Sequence, residues 1–591
     1  MSQDSDLNAP ELRARAVRAA RGEAPFDLLI RGGQLLDMVT GQMRRADVGI
    51  CGGLIASVHA PDPSRAAQEV LDADELTLLP GFIDTHMHIE SSLVMPEEYA
   101  RAVVPRGVTT ALWDPHEFAN ATGRAGMAYA LDAARQATLR LMVLAPSCVP
   151  SAPGYEAANA DFDPATIAEL LSDPQIHGVA EVMTMQPLLK GDARSRGIVN
   201  AGLASGKRVC GHARGLGPRD LNAYAAAGVQ TDHELTSGAD LMARLEAGMT
   251  VEMRGSHAHL LPEFAQRLLA LGHLPQTLTL CTDDVFPDDL LADGGLDQVI
   301  RLLIRAGLPA WWAYGAATLN AATQIGRRDL GLVAPGRRAD IALIGDLNEV
   351  QVHTVVADGR IIASAGALLT QSPCHPVPQV LFETVVSRRF APKDFEIAAI
   401  GPRARIDTLS KPRFPEWGER IVEVESGVLK PADDMIRMSV INRYTRGAPV
   451  RTAFLENWGV WQGAYASTLS HDSHNLTIFG RDAEDMAVAA NAVVAMGGGM
   501  AVVRDGQVLA RLALPLAGLV SPLPLAQVAR GFAEIRAAAD QIAKWEPPFL
   551  VFKALFGASL ICNPGPRLSD MGLVDPFAGI LRESPLIEDG I

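Results

Sequence analysis

Pro80-Gly81-Phe82-Ile83-Asp84-Thr85-His86-Met87-His88 decides how this chain is read. An apolar run closes on two histidines one residue apart. A strand presents alternate residues to the same face, so His86 and His88 project together. Two imidazoles at the end of a strand can grip one divalent metal. An isolated His-x-His is commonly a buried, hydrogen-bonded pair. Here the residues leading into it, and the motifs that follow, supply further ligands in a workable order. Asp84 reads as a buried structural carboxylate.

Downstream, residues 81–330 alternate short apolar runs with helical stretches. Candidate strands cover 82–86, 108–113, 140–145, 177–182, 207–211, 229–233, 249–253 and 278–282. Eight strands over about 250 residues is the size of a (β/α)8 barrel, whose active sites lie at the C-terminal ends of the strands. Those ends carry Glu181, His212, His233 and Asp283. With His86 and His88 they make four imidazoles and two carboxylates, enough for two divalent ions sharing a bridging carboxylate. Histidine binds first-row metals as a neutral ligand, and carboxylates offset the charge of paired cations. A bound metal lowers the pKa of water towards neutrality, and a nearby carboxylate can relay the proton released. Glu234 follows His233 directly, so it can turn inward only where the strand gives way to a loop.

The barrel segment lies between two glycine-punctuated, β-rich stretches, 26–80 and 331–370, which together predict a small sandwich domain split by the barrel. Residues 1–25 carry Arg13, Arg15, Arg18 and Arg21 among alanines and lack an apolar stretch of signal-peptide length. They predict a helical extension. A composition break at Ser372-Pro373 opens a third, α+β region over 371–591. Met486 to Val503 is apolar but interrupted by Asn491 and Gly497-Gly498-Gly499, which predicts a buried helix, a turn and a strand, not a membrane span.

The chain has 591 residues, 48% hydrophobic and 20% charged, with a formal net charge of -16. That balance describes a globular protein and disfavours general nucleic-acid binding, because a polyanion would be repelled. Six scattered cysteines form no Cys-x-x-Cys pair, which fits a reducing cytoplasm and gives no disulfide framework. The deaminases that act on bases within nucleic acids combine His-x-Glu with Pro-Cys-x-x-Cys. His88-Ile89-Glu90 mimics the first half, but Pro373-Cys374 lacks a second cysteine at the right spacing, and that route is rejected.

Nearly the whole chain resembles the adenine deaminase family of the amidohydrolase superfamily. The resemblance rests on the 80–92 segment ending Ile89-Glu90-Ser91-Ser92, on Asp114-Pro115-His116-Glu117, Gly211-His212-Ala213, Asp232-His233-Glu234 and Thr282-Asp283-Asp284, and on His471-Asp472-Ser473-His474-Asn475. It implies a (β/α)8 amidohydrolase barrel with a C-terminal α+β domain of adenine deaminase type. His86, His88 and Asp283 would bind the more buried metal, His212 and His233 the second, and Glu181 both. Asp283 would accept the proton of the attacking water, and Glu234 would pass a proton to a ring nitrogen. The implied metals are manganese or iron, with zinc also permitted by the ligands. The implied reaction converts adenine, a small purine substrate, to hypoxanthine and ammonia in a cytoplasmic homo-oligomer, without nucleic-acid or membrane partners.

Glu90, Asp114, His116, Glu117, Asp284, His471 and His474 are candidates to line the site or hold a further ion. His257 and His259 have no family counterpart and read as solvated or structural. Trp311 and Trp312 read as core. Local patterns depart from the family after Asp284, where Val285-Phe286-Pro287 replaces Arg-His-Pro and Gly294-Gly295-Leu296-Asp297 replaces Gly-His-Ile-Asp. They depart again at Arg254-Gly255-Ser256 and at Arg443-Tyr444. These changes spare the metal positions and fall on groups that would recognise a ring edge. They keep open a different amidohydrolase reaction, either deamination of another heterocycle or ring opening of a cyclic amide. Intact candidates at all six metal positions, and at Glu234, argue against a silent paralogue.

Overall fold

The computed structural model describes residues 4–369, 376–412, 414–544 and 551–587. Eight strands build its parallel centre: β1 Phe82–Met87, β2 Val108–Trp113, β3 Arg140–Ala145, β4 Ile176–Val182, β5 Arg208–Gly211, β6 Thr231–Asp232, β7 Thr250–Arg254 and β8 Leu278–Cys281. β1 to β5 pair in sequence order as one parallel arc, and β6 to β8 as another. The arcs meet on both sides. The Gln230 amide donates to the Val209 carbonyl (3.0 Å), and the Asp283 amide to the His86 carbonyl (3.0 Å). Strands buried on both faces in this way read as near-continuous apolar runs, which is why they were visible in sequence.

β6 is shorter than the expected 229–233. Asp232 Oδ1 accepts the amides of Ala213 (2.8 Å) and Glu234 (2.9 Å), so a side chain takes over where ladder bonds would continue. The strand ends there and releases His233 and Glu234 into a turn. Helices follow the strands with ordinary start signals. Pro164–Ser172 opens on Asp163, whose carboxylate accepts the Thr166 amide, and Gly238–Glu246 opens on Ser237, which accepts the Asp240 amide.

The β-rich flanks join in one nine-stranded sheet. Thr77–Pro80, from before the barrel, pairs antiparallel with Ile341–Ile344, from after it, in the register Leu78↔Leu343. Leu28, Val48, Ile50, Leu78, Ile341 and Val356 form that sheet's own apolar cluster. Helix Pro10–Ala20 packs beside it through Ala16 and Ala19.

A second nine-stranded sheet organises the C-terminal region, with helices Ala483–Ala495 and Leu525–Ile542 packed on it. Val528, Phe532, Ile535, Ala539 and Ile542 recur at helical spacing and are buried. This helix also meets the barrel. Phe532 lies 5.2 Å from Phe286, and Arg536 pairs with Asp288 (2.7 Å) and Asp289 (2.9 Å). The short helix Pro287–Ala292 after β8, and Phe286 at its start, are thereby fixed from outside the barrel. Met486 to Val503 is helix, Gly497-Gly498 turn and strand Gly499–Arg504. Among the described residues no helix is long and apolar enough to cross a membrane. Trp312 is buried as expected, but Trp311 is 37% exposed. The break at Ser372-Pro373, and Cys374, fall outside the described residues.

Candidate metal centre

The end of β1 places His86 and His88 on one side, with their Nε2 atoms 3.1 Å apart. Two carboxylate oxygens face them. His88 Nε2 is 3.5 Å from both Glu181 Oε1 and Asp283 Oδ1, and His86 Nε2 is 3.8 and 3.7 Å from the same two atoms. All four side chains are buried. His88 Nδ1 donates to the Asp114 carbonyl (3.0 Å), which leaves its Nε2 bare. Two imidazole nitrogens and two carboxylate oxygens at these separations suit a common cation, since atoms about 2.0–2.2 Å from one ion lie roughly 3–4 Å from one another. The residues therefore fit a divalent metal site.

The other oxygen of Glu181 faces a different pair. Oε2 is 2.7 Å from His212 Nδ1 and 3.3 Å from His233 Nε2. The His233 ring stacks on His86 at 4.1 Å. One carboxylate thus presents one oxygen to each imidazole pair. Asp283 follows β8 in the left-handed region (φ 56°), a conformation Asp tolerates, and so turns back over the barrel mouth. Asp84 stays out of the donor set. It accepts the Thr282 amide (3.0 Å) and hydroxyl (2.6 Å), and burial pushes its carboxyl up to about 7.

Glu234 sits in the grip of two guanidiniums, Arg214 (2.6 Å from Oε2) and Arg254 (2.9 Å from Oε1). Arg254 also donates to Asp283, so one side chain links both carboxylates. Burial alone would raise the Glu234 pKa. Arg254 and Arg214, with His212 and His233, overcome that and hold it well below the usual range.

Two family models cover most of the chain: the amidohydrolase family over residues 77–362, and the adenine deaminase C-terminal domain over residues 414–578. Over 100% of this chain and 99% of its own length, "Adenine deaminase 2" of Rhizobium meliloti (strain 1021) is 57% identical. The chain belongs to the adenine deaminase family. Within that family it is also similar to "Adenine deaminase 2" of Rhizobium etli, 55% identical over 99% of this chain and 98% of the relative. "Adenine deaminase" of Klebsiella pneumoniae subsp. pneumoniae is 48% identical, over 96% of this chain and 94% of the relative.

For this adenine deaminase family member, the six anticipated ligand residues cluster around Glu181, and Glu234 joins Asp283 at the barrel mouth through Arg254. The further candidates divide. Glu90 accepts the Trp113 indole N–H (2.9 Å) and belongs to the packing. Asp114 accepts from His116 Nδ1 (3.1 Å). Ser91 donates to Asp284, and His471 Nε2 lies 3.9 Å from its carboxylate, both at the rim. His474 Nδ1 accepts the Ser470 amide (3.3 Å), so it shapes its own loop.

Sequence reasoning missed Arg214 and Arg254, and also His257, whose Nδ1 accepts from Arg254 Nε (3.1 Å) at the mouth. It missed the far wall as well. Lys553, Phe556, Asn563 and Arg567 of the C-terminal region face Glu234 and Asp283 across the opening, and Asn563 Oδ1 lies 3.4 Å from His212 Nε2. Two signals were available: the position of Arg214, two residues after His212, and the departure from the family pattern at Arg254-Gly255-Ser256. Arg443-Tyr444, a departure from the family pattern, supports the 470–475 loop from behind. Arg443 donates to the His474 carbonyl (2.5 Å), and the Tyr444 hydroxyl donates to the Ser473 carbonyl (2.7 Å).

Proposed function

We propose that the chain hydrolyses adenine to hypoxanthine and ammonia, using two divalent ions held by His86, His88, Glu181, His212, His233 and Asp283, with manganese or ferrous iron as the native metal. The observation that carries the reading is the 57% identity to an adenine deaminase across the whole chain, site and C-terminal region included. When bound, the ions make hydroxide available at neutral pH. The chain's own groups then do the rest. Asp283 takes a proton from the water whose oxygen adds to the ring carbon bearing the amino group. Glu234 rests as a carboxylate, so the proton it delivers to the ring nitrogen must be the one that Asp283 has taken from the water. Arg254, on both carboxylates, keeps them aligned for this exchange. The proton of the adduct's hydroxyl then passes to the amino group, the carbon–nitrogen bond breaks to leave the ring carbonyl, and ammonia departs. Mouth residues from both regions exclude water and orient the ring.

The test is ammonia and hypoxanthine release from protein loaded with manganese or ferrous iron, with other aminopurines and cyclic amides in parallel. Formation of a ring-opened acid without ammonia would replace this reading with cyclic-amide hydrolysis. Chelation is expected to abolish turnover, and readdition of metal to restore it. Metal content that never exceeds one equivalent in fully loaded protein would remove the binuclear assignment. Glu181→Gln is expected to lower metal retention, because the amide brings no charge to share between cations.

A further inference from the structure

Beyond His88 lies another group of buried donors that adjoins the Glu181 centre, with Glu117 Oε2 3.5 Å from His88 Nδ1 and His116 Nδ1 3.7 Å from Glu181 Oε1. His116 and Glu117 open helix His116–Thr122 of the barrel. His471 and Asp472 lie in the C-terminal region, between strands Ala464–Ser467 and Leu476–Gly480. His116 Nε2 is 3.7 Å from Asp472 Oδ1 and 3.9 Å from Glu117 Oε2, and His471 Nδ1 is 3.7 Å from Asp472 Oδ1.

His116, Glu117 and Asp472 are each no more than 1% exposed. His116 Nε2, both Glu117 oxygens and both Asp472 oxygens lack a hydrogen-bond partner. Five such atoms, three of them (His116 Nε2, Glu117 Oε2 and Asp472 Oδ1) within 3.9 Å of a neighbour in the group, are costly to bury unless something compensates them. A proton on His116 Nε2 does not suffice, because 3.7–3.9 Å is beyond hydrogen-bond reach. Nδ1 of the same ring donates to Asp114 Oδ2 (3.1 Å), so when the ring is neutral its Nε2 lone pair points at two carboxylates. A lone pair facing two anions at that spacing is repulsive when empty and attractive with a cation between them. Two imidazoles and two carboxylates are a donor set for manganese, ferrous iron or zinc. His471 is partly exposed and lines the barrel mouth, which gives an ion a way in.

We infer that His116, Glu117, Asp472 and His471 form a third divalent-cation site, separate from the Glu181 centre, that ties the barrel to the C-terminal region. The site stands whether or not the Glu181 centre holds two ions.

The test is an anomalous difference map from crystals of the full chain loaded with manganese. The expected result is a peak between His116 and Asp472, distinct from any density beside Glu181, that is absent from Asp472→Asn crystals while the Glu181 density persists. In solution, metal content should fall by about one equivalent per chain in Asp472→Asn. Glu117→Gln is the second variant, expected to do the same should Asp472→Asn fail to fold. No peak between His116 and Asp472 in the wild-type map overturns the proposal, whatever is bound at Glu181. A peak there with none at Glu181 sustains it and removes the binuclear reading instead. Metal content unchanged in both folded variants also overturns it.

Discussion

Glu234 shows how much a single residue owes to its surroundings. Its carboxylate is buried, yet two guanidiniums keep it ionised. General acid–base help of the kind proposed for it is typically worth about 10²–10⁴-fold in rate. Glu234→Gln is therefore expected to retain its metal and lose turnover by about that factor, as read by metal analysis beside steady-state assay. Near wild-type turnover would show that another group moves the proton, and loss of metal would make the residue structural. The candidate ligands beside it were legible in sequence because they stand at the ends of apolar runs, where strand periodicity dictates direction. Arg254 ends β7 in the same way, but a lone arginine carries no ligand signature, so its double contact with Glu234 and Asp283 emerged only from the fold. Lys553 and Asn563 reach the mouth from 270 and 280 positions beyond Asp283, a separation no local pattern encodes.

At the scale of elements, the barrel strands fell within about one residue of their expected bounds, apart from β6, which starts two residues late and ends one early where the Asp232 side chain replaces ladder bonds. The docking of helix Leu525–Ile542 onto the short helix after β8 was not legible, since an apolar helix face does not name its partner. Phe532 is fully buried at that contact, against Phe286. Phe532→Ala is expected to cost about 3–5 kcal/mol of stability in denaturant unfolding, the usual range for a buried phenylalanine. A change under about 1 kcal/mol would mean the contact repacks freely. At the start of β4, His177 provides a pH-dependent contribution. Burial, with Arg327 and Lys207 nearby, lowers its pKa from 6.5 to about 4. Between those values the unfolded chain binds a proton that the folded chain refuses, so the contribution is complete above pH 6.5 and is lost as pH falls towards 4. His177→Gln is expected to flatten the dependence of the unfolding midpoint on pH across that window and to leave its slope above pH 7 unchanged.

Across the whole molecule, the two flanks meet in one sheet, with Leu78 opposite Leu343. Seen from that sheet, the entire barrel is an insertion whose two ends leave from neighbouring strands, about 4.8 Å apart. This imposes an order of events on a chain made from its N-terminus. Strand Thr77–Pro80 emerges early and waits, one edge unpaired, while the barrel sequence is synthesised. Closing so long a loop is slow, and an open edge in the interval invites pairing with another chain. In pulse-labelled hydrogen exchange during refolding, amides of Ile341–Ile344 are expected to gain protection only after those of β1 to β4. Protection that arises at the same time or earlier would mean that the sheet gathers the barrel's ends before the barrel exists. The seam that makes the finished molecule continuous is thus also its period of greatest exposure to misassembly.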